Sequence, residues 1–371
     1  MASPPINVGL IGYGGSAKSF NLPFILPNPD LRLPTLHLRP TLPSARTALS
    51  ISHPRRTTAP PRPFLGTMKI ELVVICTHEH GEFVRRALES RKHVVVEKAF
   101  VNTSKEADDL IQLAREKGKV LTVYQNRRFD SDFLTLQHIV KSGALGEIRD
   151  AQMHFDFRMP SWVMGWTQKE YASGQGMTFG LGSHTVDQAL LLFGRPVSVT
   201  GFLRSNRGVD SEVDDTFTII LQYEGEQKNL TVTAKTAIVT HMKDNLKFFV
   251  RGTEGTYLKF GTDPQEAKAI AAPCQPALDP DYGREDERIW GTLSTTKEFD
   301  TKSQTFDEES GLYIGKYPSM LGRYRGLYEN VVAAILETAE LYVKPETSRD
   351  GLRILELARE SHETGRMVPW Y

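Results

Sequence analysis

The stretch that most constrains this chain stands at its beginning. Ile6-Asn7-Val8-Gly9-Leu10-Ile11 is a short, largely apolar run, and Gly12-Tyr13-Gly14-Gly15-Ser16-Ala17 follows without a gap. A continuous apolar run of this length reads as a strand buried on both faces, the kind a parallel sheet needs. The residues after it keep the G-x-G-x-x-A spacing. Gly12 permits a tight turn, Gly14 lets a pyrophosphate approach the backbone, and the small Ala17 lets the next helix pack on the strand. A helix start there offers free N–H groups and a positive dipole to phosphate. A glycine-rich turn with no ligand has the same spacing. Its place directly after a strand is what points to a dinucleotide, with Gly12, Tyr13, Gly14, Gly15 and Ala17 as contacts.

Strands and helices then alternate, the pattern of a parallel sheet covered on both faces. Leu31 to Arg39 is the candidate second strand, Ile70 to Cys76 and His93 to Glu97 are further strands, and Val120 to Tyr124 closes the series. Helical spacing runs from Phe83 to Ser90, and Ser104 is expected to cap a helix that ends at Gly118. The second strand of such a unit ordinarily ends in an acid for the ribose hydroxyls. Here it ends in Arg39, and no acid occurs between Asp30 and Glu71, where Arg32, Arg39, Arg46, Arg55, Arg56 and Arg62 do. Arginine there can hold a 2′-phosphate, which favours NADP over NAD, and a basic surface loop is the plainer alternative. Residues 43–66 hold Pro43, Pro54, Pro60, Pro61 and Pro63, so they are expected to be irregular or disordered.

Ligands of open parallel sheets bind beyond the carboxyl ends of the strands. Glu97 and Lys98 stand at such an end. Lys98 there could polarise an alcohol or carbonyl oxygen and pass a proton, or form a surface pair with Glu97. Thr77, Asn126 and Arg127 also follow strands and join the expected cofactor contacts, with an interdomain ion pair as the other reading of Arg127.

Composition narrows the partners. Lysine plus arginine and aspartate plus glutamate both number 45, so the chain is neutral overall, which argues against nucleic acid or an anionic membrane as partner. No run of about 18 apolar residues offers a membrane span. The two cysteines, Cys76 and Cys274, make no disulfide framework, and no leader-like segment precedes Ile6, so a reducing cytoplasm is expected. His78 and His80 have metal-like spacing but no further ligands nearby, and no metal is expected.

Several motifs in order carry a family resemblance. Gly12-x-Gly14-x-x-Ala17, Glu97-Lys98, the segment Tyr124 to Phe133, Gly143-Ala144-Leu145-Gly146-Glu147-Ile148 and Leu181-Gly182-Ser183-His184-x-x-Asp187 resemble the glucose–fructose oxidoreductase/inositol dehydrogenase (Gfo/Idh/MocA) family, as does the closing run from Gly322 to Gly365. The resemblance implies an α/β fold: an N-terminal Rossmann domain over 1–125, then an α+β domain over 126–371 with a large, mostly antiparallel sheet and C-terminal helices packing back. The period agrees, since Thr216 to Tyr223 and Leu230 to Ala234 alternate as strands, and so do the two runs flanking Gly252-Thr253-Glu254-Gly255.

The resemblance also implies hydride transfer between NAD(P) and a secondary alcohol or its carbonyl on a small molecule, a sugar, polyol or cyclic metabolite, by a homodimer or dimer of dimers. Lys98 matches the family's catalytic lysine and His184 its histidine. Trp162 and Asp187 join Lys98 and His184 as expected substrate contacts. Two positions depart from the pattern. Ala99 replaces the proline after Glu-Lys, and Gly180 stands where the catalytic aspartate should be. The same fold serves fungal galactose-regulon repressors, which bind a dinucleotide and a protein partner, so Gly180 leaves a non-catalytic relative as the alternative.

Overall fold

The computed structural model describes residues 4–37, 55–57 and 70–371. Arg39 and most of 43–66 lie outside them. The chain forms two compact units, one of Met1–Asn126, Pro264–Tyr282 and Arg323–Arg349, the other of Arg127–Asp263, Gly283–Gly322 and Asp350–Tyr371. The first unit therefore takes in two segments, 264–282 and 323–349, that the sequence reading left in the second domain.

The first unit is built on a six-stranded sheet of β1 (Ile6–Ile11), β2 (Leu31–His37), β3 (Arg55–Thr57), β4 (Leu72–Ile75), β5 (His93–Val96) and β6 (Leu121–Val123), in the order β3-β2-β1-β4-β5-β6. Every pairing is parallel. β4 is buried at all four residues and β5 at three, as strands covered on both faces must be. The order reverses at β1, so the crevice beyond its carboxyl end is the place where such sheets bind ligands. Within the stretch expected to be irregular, Arg55–Thr57 pairs in parallel with β2.

The helix Ser104–Lys117 buries Ala107, Leu110, Ile111 and Ala114, a 3–4 spacing that gives one apolar stripe. Its cap is Thr103, one residue earlier than expected. Thr103 is extended at φ −138° and its Oγ1 accepts the Glu106 N–H at 3.1 Å, an N-cap hydrogen bond. Gly118 ends the helix in the left-handed region at φ +61°.

The second unit carries a ten-stranded sheet of β7 (Ile148–His154), β8 (Ser198–Arg204), β9 (Thr216–Gln222), β10 (Thr231–Thr236), β11 (Leu246–Gly252), β12 (Gly255–Phe260), β13 (Gly291–Thr295), β14 (Thr305–Asp307), β15 (Leu312–Tyr317) and β16 (Val368–Pro369). Its order is β14-β15-β13-β12-β11-β7-β10-β9-β8-β16, antiparallel throughout except between β7 and β10. One face, with Ala151, Met153, Phe217, Ile219, Val232, Phe248 and Val250, is buried with the helices Ser131–Lys141 and Ser183–Phe193 in one core. The alternate residues, Phe202 and Phe260 among them, face outward and stay exposed. Among the described residues, no helix is long and apolar enough to cross a membrane.

Candidate functional site

In the first unit, the glycine turn has the geometry its spacing implies. The Cys76 N–H donates to the Ile11 carbonyl at 2.7 Å, drawing the end of β4 against the end of β1. Gly12 turns there at φ +92°, and a Cβ on it would stand 2.5 Å from the Cys76 carbonyl oxygen. The position is closed to every other residue on both counts. Gly14 and Gly15 are the reverse case: a Cβ on either would meet nothing within 4 Å. Open space thus lies over two backbone positions just before the helical turn Ser16–Asn21, whose start no side chain caps. That cradle fits a pyrophosphate. Ala17 is fully buried beneath it. Tyr13 carries the Lys18 ammonium 4.8 Å from its ring centre, and its hydroxyl meets Cys274 Sγ at 3.5 Å.

The Glu97 carboxyl, expected to contact the cofactor, accepts hydrogen bonds from the Ser16 hydroxyl and, at 2.7 Å, from Asn21 Nδ2. Burial raises its pKa, and these donors work against that rise. Lys98 follows, half-buried, at the carboxyl end of β5, and the Lys98–Ala99 peptide bond is cis. His80 donates its Nδ1–H to the Phe100 carbonyl, 2.8 Å away, so Nδ1 carries the proton there. Burial first, with the charges of His78 and Lys98 adding to it, lowers the His80 pKa to about 4. Thr77 is half-buried just past β4, and Asn126 is buried at the start of the 3₁₀ turn Asn126–Phe129 after β6. Gly12, Thr77, Lys98 and Asn126 all stand at the carboxyl ends of strands in one parallel sheet.

In the second unit, Phe155 organises the polar groups. His184, buried in the first turn of Ser183–Phe193, stacks on its ring at 6.5 Å between centroids and 27° between planes. The Arg127 guanidinium lies 4.4 Å from the Phe155 centroid and the Lys247 ammonium 4.7 Å. Arg127 also pairs with Asp130 at 3.2 Å, within the same unit. Sequence reasoning missed Phe155 and Lys247. A register shift in β11 between Leu246 and Phe248 turns Lys247 inward, which strict alternation does not anticipate. Burial lowers its pKa, with the Asp132 and Asp130 charges opposing that fall and the Arg127 and Lys259 charges adding to it.

Asp187, expected to contact substrate, is held by Arg128: Nε to Oδ2 at 2.8 Å and Nη2 to Oδ1 at 2.7 Å, both side chains buried. That fork uses both carboxylate oxygens. Gly180 lies in the helical turn Thr178–Gly182 before His184, and a Cβ there would meet nothing within 4 Å. Asp214 pins this turn by accepting from Thr178 N at 2.7 Å and Oγ1 at 2.6 Å. Trp162 is 51% exposed, edge-on to Phe157 and Trp166. Arg207 donates to the carbonyls of Trp166 and Gln168, which fixes the segment behind it. Tyr171 stacks under Arg359 at 3.5 Å. Among the described residues, no group of three or more His, Cys, Asp or Glu could hold a metal.

Known proteins of this kind match the whole length. Residues 6–125 match the model of the oxidoreductase family with an NAD-binding Rossmann fold, and residues 133–258 match the GFO/IDH/MocA C-terminal domain. An uncharacterized oxidoreductase of Schizosaccharomyces pombe is 34% identical over 98% of this chain and 99% of its own. The scyllo-inositol 2-dehydrogenase (NADP(+)) IolW of Bacillus subtilis is 30% identical over 98% and 95%. A solved oxidoreductase from Bacillus cereus superposes with a TM-score of 0.84 at 30% identity, covering 98% of each chain.

Proposed function

Because the chain belongs to the Gfo/Idh/MocA oxidoreductase family, we propose that it transfers a hydride between a nicotinamide dinucleotide and a secondary alcohol or its carbonyl on a sugar, polyol or cyclic metabolite. The observation that carries this reading is the open backbone over Gly14 and Gly15 beside the obligatory turn at Gly12. These residues and the start of Ser16–Asn21 would hold the pyrophosphate, and the bound cofactor supplies the hydride acceptor or donor. Lys98 is the residue we assign to the substrate oxygen and its proton. His184 is the second acid–base group, imidazole being the side chain best suited to proton transfer near neutral pH. Trp162 offers the apolar face a ring substrate needs. The acid-free, arginine-rich stretch from Arg32 to Arg62 favours NADP, and so does the NADP(+) in the name of the Bacillus subtilis relative. A cytoplasmic homodimer, formed on the outward sheet face with Phe202 and Phe260, completes the reading.

Gly180 favours one second reading, a dinucleotide-binding regulator without turnover. A panel of cyclitols, sugars and polyols assayed with NADP⁺ and NAD⁺ for reduced nicotinamide separates the two. Turnover on any member supports the enzyme. Saturable dinucleotide binding with no turnover across the panel favours the regulator.

A further inference from the structure

Four side chains of the first unit form one hydrogen-bonded line. The Tyr328 hydroxyl donates to Asn21 Oδ1 at 2.5 Å, Asn21 Nδ2 donates to Glu97 Oε1 at 2.7 Å, and the Ser16 hydroxyl donates to the same Glu97 oxygen. Tyr328, Asn21 and Glu97 are all buried. The two ends of the line matter. Ser16 is the first residue of the helical turn that follows the glycines, and Glu97 is the residue before Lys98. Tyr328 comes from the helix Arg325–Ile335, 307 residues from Asn21, with its ring packed on Tyr124 at 5.8 Å.

An asparagine amide presents an acceptor at one end and a donor at the other, and nothing intrinsic decides which end faces a carboxylate. Here the Tyr328 hydroxyl occupies the acceptor end. Nδ2 is thereby left to face Glu97, and it reaches the Ser16 carbonyl as well, at 3.2 Å. With the hydroxyl gone, Asn21 Oδ1 becomes a buried acceptor without its donor, and turning the amide over would bring oxygen against the Glu97 oxygen. Either way the link from the glycine turn to the Lys98 strand end loosens.

We propose that Tyr328 is a positioning residue for the dinucleotide site: acting through Asn21 and Glu97, it locks the glycine turn to the end of the strand that carries Lys98. This rests on the reading of the glycine turn as a dinucleotide site, and the test separates the two. Tyr328→Phe, Glu97→Ala and the double variant are titrated with NADPH by calorimetry on the full chain, and hydrogen exchange is followed in peptides covering 12–21 and 95–100. Each single substitution is expected to raise the Kd about tenfold or more. The double variant should be no worse than Glu97→Ala, because the hydroxyl acts only through the carboxyl. Tyr328→Phe should also speed exchange in both peptides together. Additive losses of affinity would overturn the proposal, as would a Tyr328→Phe variant with wild-type affinity and exchange. If Glu97→Ala does not fold, Ser16→Ala replaces it in the cycle with the same expectation. A wild-type chain that binds no NADPH would instead remove the dinucleotide reading itself.

Discussion

The Arg128 guanidinium grips both carboxylate oxygens of Asp187, at 2.8 and 2.7 Å, with both side chains almost fully buried. A charge pair in that setting is costly to break, because the surviving partner keeps its burial and loses its counter-charge. Asp187→Asn and Arg128→Met are each expected to lower unfolding stability by about 3–5 kcal/mol, the range for splitting a buried pair. Urea denaturation measures it. A loss under about 1 kcal/mol would mean that the pair is solvated.

Gly12 has no tolerable substitute. At φ +92°, and with the Cys76 carbonyl 2.5 Å from any Cβ, Gly12→Ala combines backbone strain with a clash against main chain. A destabilisation of about 1–3 kcal/mol is expected from the strain alone, together with loss of dinucleotide binding. Thermal unfolding and NADPH titration read the two effects separately. Gly15→Ala, which adds a methyl to open space, should fold normally and weaken dinucleotide binding alone.

Gly180→Asp tests the missing acid directly. A Cβ at this position would meet nothing within 4 Å, so the backbone accepts a side chain there. A positioned acid–base group contributes about 10²- to 10⁴-fold to turnover. The variant is expected to raise kcat at least tenfold on any substrate the wild type turns over slowly, with the melting temperature unchanged. Equal kcat values would place proton handling entirely on other groups.

His80 makes stability depend on acid. Its folded pKa of about 4 lies below the unfolded value of 6.5, so the native state binds fewer protons in that interval. The stability it contributes is complete above pH 6.5 and is lost as pH falls toward 4. Glu97 tilts the other way, since its raised pKa contributes stability at low pH that is lost as pH rises. The His80 share is therefore read as a difference: the stability gap between wild type and His80→Gln should shrink as pH falls from 6.5 to 4. A gap independent of pH would contradict the assignment.

The local features were legible because they are written in consecutive residues. β1 and the glycine turn follow from one apolar run and one spacing, and the alternation of β9 to β12 from period two. Partners distant in sequence were not legible. Asp187 reads as a motif residue until Arg128, 59 positions earlier, is found holding it. Nor do neighbouring residues reveal that the Glu97 carboxyl accepts from Ser16 and Asn21, more than 70 positions earlier. The Ser104 cap was missed by one position because adjacent Thr and Ser have similar capping tendencies and only the extended φ of Thr103 decides between them. Lys247 was missed because a strand irregularity reverses which side a residue faces.

The account depends most on a pyrophosphate seated at Gly12, Gly14 and Gly15. Titration calorimetry of the purified chain with NADPH, then with NADH, measures this directly. The account predicts saturable binding of one dinucleotide per chain, tighter for NADPH. Absence of binding heat with either nucleotide, on protein that unfolds cooperatively, would contradict it.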